Sequence, residues 1–137
     1  MAKPAAELAR AWLLKGFSDL DTARQIGRLP DGHLDAGIYH CQQAAEKTLK
    51  GFLVFHGKPV ERIHDLGKIL ERAILVNSGF RSFEDAADTL TPYSVAYRYP
   101  DELAMLEPTR EEFDEALQHA QAIYEFVITL LPTEARP

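Results

Sequence analysis

The chain has a single cysteine, Cys41, in 137 residues. No intramolecular disulfide can form, and a zinc site built on thiolates lacks its ligands. Burial within a helix is the expected fate of that lone thiol. No apolar run reaches the ~20 residues a membrane-spanning helix needs. The opening Met1-Ala2-Lys3-Pro4-Ala5 leads into a charged amphipathic segment, without the apolar stretch and cleavage pattern of a secretory leader. A cytoplasmic location is the expectation, with no membrane association. Basic excess is lacking too, because 15 Lys and Arg stand against 21 Asp and Glu, for a formal charge of -6. A broad nucleic-acid coat needs many cations to neutralise phosphates, so RNA is not the favoured partner, although a local basic patch remains open. Internal repeats, low-complexity tracts, linkers and convincing strands are also missing.

What is present is patterning. Apolar residues make up 46% of the chain and charged ones 26%, the balance of a folded globular domain. One domain over 1–137 is expected, with a core from about 5 to 131 and a frayed tail at 132–137. Five segments show helical periodicity. In the first, from about Ala5 to Ile26, Ala9, Leu13, Gly16, Leu20 and Ala23 recur at spacings of four and three, with Trp12 and Phe17 widening the stripe. Pro30-Asp31-Gly32 is turn chemistry. The second, about Leu34 to His56, carries Ile38, Cys41, Ala45, Thr48, Phe52 and Phe55 on one face and Leu49 and Leu53 beside them. This strongly apolar helix belongs in the middle of a bundle. Gly57 and Pro59 stop it.

The third segment, about Asp65 to Asn77, is capped by Asp65 and buries Leu66, Ile69, Leu70, Ala73 and Val76. The fourth, about Ser82 to Tyr97, has a Ser82/Asp85 capping pair and turns Phe83, Ala86, Ala87 and Leu90 inward. Pro92 kinks it, or breaks it with Thr91 capping a new turn. The fifth, about Thr109 to Leu131, opens with a Thr109/Glu112 capping box and runs Phe113, Ala116, Ala120, Ile123, Val127 and Leu130 to the stop at Pro132. Five amphipathic helices with short connections bury their stripes only against one another. The fold class is therefore all-α, an antiparallel up-down bundle.

Four stretches in order carry a resemblance. Tyr39-His40-Cys41-Gln42-Gln43-Ala44-Ala45-Glu46-Lys47-Thr48-Leu49-Lys50 resembles the second helix of the HEPN family ("higher eukaryotes and prokaryotes nucleotide-binding"). Ala11-Trp12-Leu13 with Asp19-Leu20-Asp21-Thr22-Ala23 is similar to the family's opening helix, His64-Asp65-Leu66 to the start of its third, and Tyr97-Arg98-Tyr99-Pro100-Asp101 to the signature after its fourth. The resemblance implies a helical bundle that often dimerises. It also implies a frequent neighbour, a small nucleotidyltransferase, in pairs that are sometimes toxin–antitoxin systems. Many HEPN proteins are RNases with an Arg-x(4–6)-His motif on a late helix. Here Arg72, Arg81, Arg98 and Arg110 lack a histidine at that spacing. The one match, Arg28 to His33, falls in the first turn of the bundle and contains Pro30 and Gly32. The chain thus resembles the branch without the nuclease motif.

Three polar groups are candidates for a binding site. His40, Gln43, Lys47 and Lys50 recur at three, four and three, a polar stripe suited to phosphate and a base edge; as an ordinary solvated face it would hold Glu46–Lys50 as a helix pair. His64 and Asp65 sit at a helix start, where free amides attract anions; a local cap is the plainer role. Arg98 and Tyr99 follow the fourth segment, where arginine can pair with phosphate and tyrosine can stack on a base. Arg98 could instead pin its loop by pairing with Asp101 or Glu102, and Tyr93, Tyr97 and Tyr99 could fill a bundle end. No recognised catalytic set, metal site or cofactor motif stands out. His64 and Asp65, being adjacent, make no dyad, and His56 and His119 have no partner at ligand spacing.

The expected function is a homodimeric binding or assembly module, with His40, Gln43, Lys47, His64, Asp65, Arg98 and Tyr99 facing a nucleotide or a nucleotidyltransferase partner. Partly apolar faces around Trp12 or Phe80 would serve the dimer or the partner. Two alternatives stand beside it: a metal-independent RNase acting as a homodimer through Arg28/His33 or an Arg98/His64 set, and a purely structural oligomerisation subunit.

Overall fold

The centre of each apolar stripe read from the sequence turns inward in the computed structural model, which describes residues 4–100 and 107–137, while Phe17 at the edge of the first stripe stays exposed. Five α-helices form, and no strand occurs among the described residues. They are α1 (Ala5–Arg28), α2 (Leu34–Phe55), α3 (Leu66–Val76), α4 (Glu84–Leu90) and α5 (Arg110–Leu130). The longest helices set the frame. In α1, Ala9, Leu13, Gly16, Leu20 and Ala23 are all buried; in α5 so are Phe113, Ala116, Ala120, Ile123 and Val127. Helix α2 lies between α1, α3 and α5 and buries most of its circumference.

Small residues let α1 and α2 approach closely. A Cβ on Gly16 would lie 2.7 Å from Thr48 Oγ1 and 3.2 Å from the Ala44 carbonyl oxygen. A Cβ on Gly51 would meet Trp12, and one on Gly37 would meet Ile26. As α1 ascends from 12 to 26, its partners on α2 descend from 51 to 37, so the pair is antiparallel. Helix α5 is antiparallel to α1, with Phe113 against Gly27 and Tyr124 beside Phe17. Arg110 fastens that end by donating to the Gly27 carbonyl at 2.8 Å. At the opposite end Phe80 is fully buried between Phe52 and Phe126, with ring centroids 4.7 and 4.9 Å away.

The caps show which local rules hold. Thr109 and Glu112 complete the capping box, Asp65 accepts from the Lys68 amide, and Gly57 takes the left-handed φ of 72° that ends α2. The fourth segment departs from expectation. It is a short α4 between two 3-10 turns, Ser78–Phe83 and Thr91–Ser94, the second with Pro92 in its first turn. The Ser82/Asp85 cap does not form, because Ser82 lies inside the first turn and donates to the Gly79 carbonyl. Thr91 caps a different helix from the one expected. Its Oγ1 donates to the Ala87 carbonyl and accepts from the Leu66 amide, joining the end of α4 to the start of α3.

Three further expectations are corrected. The residues after Pro132 do not fray: Thr133–Ala135 form a 3-10 turn against α1, with Ala135 fully buried and Arg136 donating to the Leu131 carbonyl. Phe80, expected on an exposed face, is in the core. The polar stripe of α2 is not a solvated face, because Lys50 and its partner Glu46 are buried. No helix of the described residues is long and apolar enough to cross a membrane.

Candidate functional site

Residues 58–65 have no regular structure and run back along α2, so α3 starts beside the middle of that helix instead of at its end. This return brings His64 to Glu46. The Glu46 carboxylate, whose side chain is 5% exposed, faces His64 Nδ1 at 3.0 and 3.1 Å. It also accepts from Lys50 Nζ at 3.0 Å and Gln42 Nε2 at 3.0 Å. Gln43 Nε2 donates to Gln42 Oε1 at 2.7 Å, and Gln42 reaches the His64 carbonyl. The Lys50 stem crosses toward Trp12, placing its ammonium 6.0 Å from the indole ring centre.

A second set sits nearer the start of α2. Asp19, on the edge of the α1 stripe and 10% exposed at its side chain, accepts from Lys47 Nζ at 2.7 Å and faces His40 Nδ1 at 2.8 Å. The His40 ring meets the edge of Tyr39 at 5.6 Å, and the Arg98 guanidinium lies over the face of Tyr39 at 4.2 Å. Arg98 also donates to the Ser94 carbonyl at 2.9 Å and lies 5.3 Å from the exposed Tyr99 ring. Its expected alternative partners, Asp101 and Glu102, lie outside the described residues. Tyr97 holds this segment in place. It has a left-handed φ of 68°, unfavourable for a bulky residue. Its hydroxyl donates to Glu112 Oε2 at 3.1 Å and its ring stacks on Tyr93 at 6.2 Å. Burial and the Glu112 contact raise the Tyr97 phenol, while the Thr109 amide and the Tyr97 hydroxyl lower the Glu112 carboxyl.

One polar seam therefore runs along α2 from Arg98 and Tyr39 through His40, Asp19 and Lys47 to Glu46, Lys50 and His64. Of the seven residues expected to face a ligand, His40, Gln43, Lys47, His64 and Arg98 join this seam. Tyr99 stands at its end, and Asp65 serves as the α3 cap. Sequence reasoning missed Asp19, Gln42, Glu46 and Tyr39. The signals were there: Asp19 is a charge three residues from Gly16 on the packed stripe, and Gln42 and Glu46 are an i,i+4 polar pair inside an apolar helix. Each histidine sets its Nδ1 against a carboxylate. His64 is 67% exposed at its side chain, which makes it the accessible edge of the seam. Arg28 and His33 are both exposed in the α1–α2 turn, and no hydrogen bond joins their side chains. No cluster of three metal-ligating side chains occurs among the described residues. Cys41 is buried, and desolvation pushes its thiol up to about 12.

Fold and seam together define an all-helical bundle whose central helix carries ion-paired polar residues between two aromatic ends. The chain belongs to the HEPN family, whose domain model matches residues 9–131. It is similar to the crystal structure of TT1696 from Thermus thermophilus, at 32% identity and a TM-score of 0.76, over 90% of this chain and 98% of that one. A crystal structure described as an archaeal HEPN homologue shares the fold, with a TM-score of 0.71 and 23% identity over 89% of this chain and 96% of that one. No curated protein is a significant match.

Proposed function

We propose that this HEPN protein is a binding and assembly module of the branch without the late-helix nuclease motif. Its ligand is a nucleotide held along the α2 seam, and it acts as a homodimer paired with a small nucleotidyltransferase in a toxin–antitoxin-like arrangement. The observation that carries the reading is the grouping of Arg98, Tyr39, His40 and Lys47 at one end of the seam, with His64 exposed along it. Arginine and lysine supply phosphate contacts. Tyr99, 56% exposed, supplies a stacking face for a base. A binding role also accounts for polar residues at positions where packing alone favours apolar ones.

The test is calorimetric titration of ATP, GTP and their diphosphates into the purified protein. One nucleotide should bind saturably, and Arg98→Ala should weaken it at least tenfold, the loss of about 1.4 kcal/mol or more expected for a charge-assisted contact. Absence of binding at millimolar nucleotide would refute the ligand. Co-expression with the candidate nucleotidyltransferase tests the partner separately, by co-elution at a defined stoichiometry.

A further inference from the structure

Helix α1 carries a second stripe beside the one it buries. Arg10, Leu14, Phe17, Asp21, Arg24 and Arg28 recur at spacings of four and three along one flank. Leu14 is 51% and Phe17 40% exposed, two large apolar side chains one turn apart. Phe17 marks the border with α5, where its ring meets Tyr124. Helix α5 has an outer stripe of its own: Glu111, Asp114, Gln118, Gln121 and Glu125, with Glu115 beside it. An open hollow lies along Glu111, Asp114, Leu117 and Gln118. Between the two stripes, Leu117, Tyr124 and Ile128 are half-buried at the edge of the core.

The charges on this face are sorted by helix. The α1 row is basic at Arg24 and Arg28, and the α5 row is acidic at Glu111, Asp114 and Glu115. Gly27 packs on Phe113, so these two groups stand at the same level of the bundle. Among the described residues, none of the five forms an ion pair. A face with an apolar middle, a cationic edge and an anionic edge is complementary to a second copy of itself. Charge also selects the orientation. A two-fold axis parallel to the helices lays each α1 over the other copy's α5 and keeps the levels matched. Arg24 and Arg28 then meet the partner's Asp114 and the partner's Glu115, twice over. The perpendicular axis in the same plane lays like row on like row. A basic partner of another kind would suit α5 but be repelled by the arginines of α1. Helices of 24 and 21 residues are about 30 Å long and, side by side, about 20 Å wide, roughly 600 Å² on each copy against the ~800 Å² of a standard interface. We infer that two copies of this chain meet on the α1–α5 face, about a two-fold axis parallel to these helices, with Leu14 and Phe17 at the centre.

This rests on the homodimer reading and goes beyond it by assigning the face and the pairing. The seam lies on the other flank of α1, where Trp12 and Asp19 meet α2, so neither copy covers the other's seam. The experiment is sedimentation equilibrium of the full chain over a concentration series. The native chain should dimerise, less tightly at high salt. Leu14→Glu, at an exposed position that tolerates the change in the monomer, should weaken the dimer at least about tenfold by burying an unpaired charge. Arg24→Glu/Arg28→Glu and Asp114→Arg/Glu115→Arg should each give monomers with native helical circular dichroism. Mixed in equal amounts, these two variants should dimerise, because each reversed row then faces its opposite. A dimer that withstands Leu14→Glu and both reversals, or that breaks instead with Leu8→Glu in the apolar hollow beside Trp12, overturns the inference and leaves the homodimer reading standing. Folded reversal variants that stay monomeric when mixed overturn it too. A native chain that is monomeric throughout the series overturns the homodimer reading, and the inference with it.

Discussion

Replacing Glu46 by Gln keeps the side chain's volume and removes its charge, so the change isolates the electrostatics of the seam. In the native protein Glu46 is 5% exposed and Lys50 8% exposed at their side chains. The variant leaves the Lys50 ammonium buried without a countercharge, a situation that costs about 3–5 kcal/mol when one partner of a buried pair is removed. The retained amide oxygen still accepts one hydrogen bond, which places the expected loss at the lower end, about 3 kcal/mol. Unfolding entropy near the melting point is about 2.1 cal/mol/K per residue, or about 0.29 kcal/mol/K for 137 residues. The melting temperature should therefore fall by about 10 °C, and the urea midpoint by about 1.5 M for a slope near 2 kcal/mol/M. The assay is urea and thermal unfolding followed by circular dichroism at neutral pH. Glu46→Leu/Lys50→Met supplies the contrast, because an apolar pair of similar size avoids desolvating two ions and should match or exceed the native stability. A loss below about 1 kcal/mol in Glu46→Gln would refute the reasoning, since it would mean water already solvates Lys50.

Three other perturbations have definite expectations. Gly16→Ala drives a methyl to 2.7 Å from Thr48 Oγ1 and 3.2 Å from the Ala44 carbonyl oxygen, and should cost about 1–3 kcal/mol by chemical unfolding; equal or higher stability would show that α1 and α2 separate freely. Cys41, buried with its thiol pushed up to about 12, should resist iodoacetamide in the native protein at pH 8 and react once the chain is unfolded in urea; fast native labelling would contradict its burial. The Glu112 carboxyl is lowered by the Thr109 amide first and the Tyr97 hydroxyl besides, so its stabilising contribution is present above its ordinary value of 4.5 and is lost as pH falls through the lowered folded value. Thr109→Ala, which removes the hydroxyl that accepts from the Glu112 amide, should cost about 1 kcal/mol at pH 7, whereas Glu112→Gln, which removes the titrating carboxyl, should flatten that acid dependence in a pH series of melting curves.

The main helices were legible because period 3.6 is a local signal, and their stripes on α1, α2, α3 and α5 are uninterrupted. The region from 78 to 94 was harder to read. Ser82 has the chemistry of a cap, but Asn77 accepts from the Gly79 amide and starts a 3-10 turn earlier, which carries Ser82 past the capping position. The tail was misread because its order comes from Ala135 packing on α1, a contact between the two ends of the chain that no local pattern reports. At the site, His40 and Lys47 could be placed on one face by spacing alone. Their shared carboxylate could not, since Asp19 is 28 residues away from Lys47. His64 reaches Glu46 only because residues 58–65 double back, and a stretch without periodicity says nothing of its direction.

The position of the seam favours the proposed binding module over a purely structural subunit. Helix α2 is the central helix of the bundle, where packing rewards apolar residues of the right volume. Yet Gln42, Glu46 and Lys50 are buried along its middle, and Asp19 is buried on the neighbouring helix. Desolvating these charges costs several kcal/mol per ion, and pairing them returns that cost only in part or to near balance. An assembly subunit would lose nothing by filling the same space with leucine and methionine. The seam is also graded from inside to outside: Glu46, Lys50 and Asp19 are deepest, Lys47 and His40 are partly exposed, and His64 and Arg98 are open to solvent. Buried carboxylates that hold exposed cationic and titratable groups in fixed positions are the second layer a preorganised anion site requires. The variant Glu46→Leu/Lys50→Met thus decides between the two roles: an unchanged oligomeric state with loss of nucleotide binding favours the module, whereas an altered oligomeric state with no ligand response before or after favours the structural subunit.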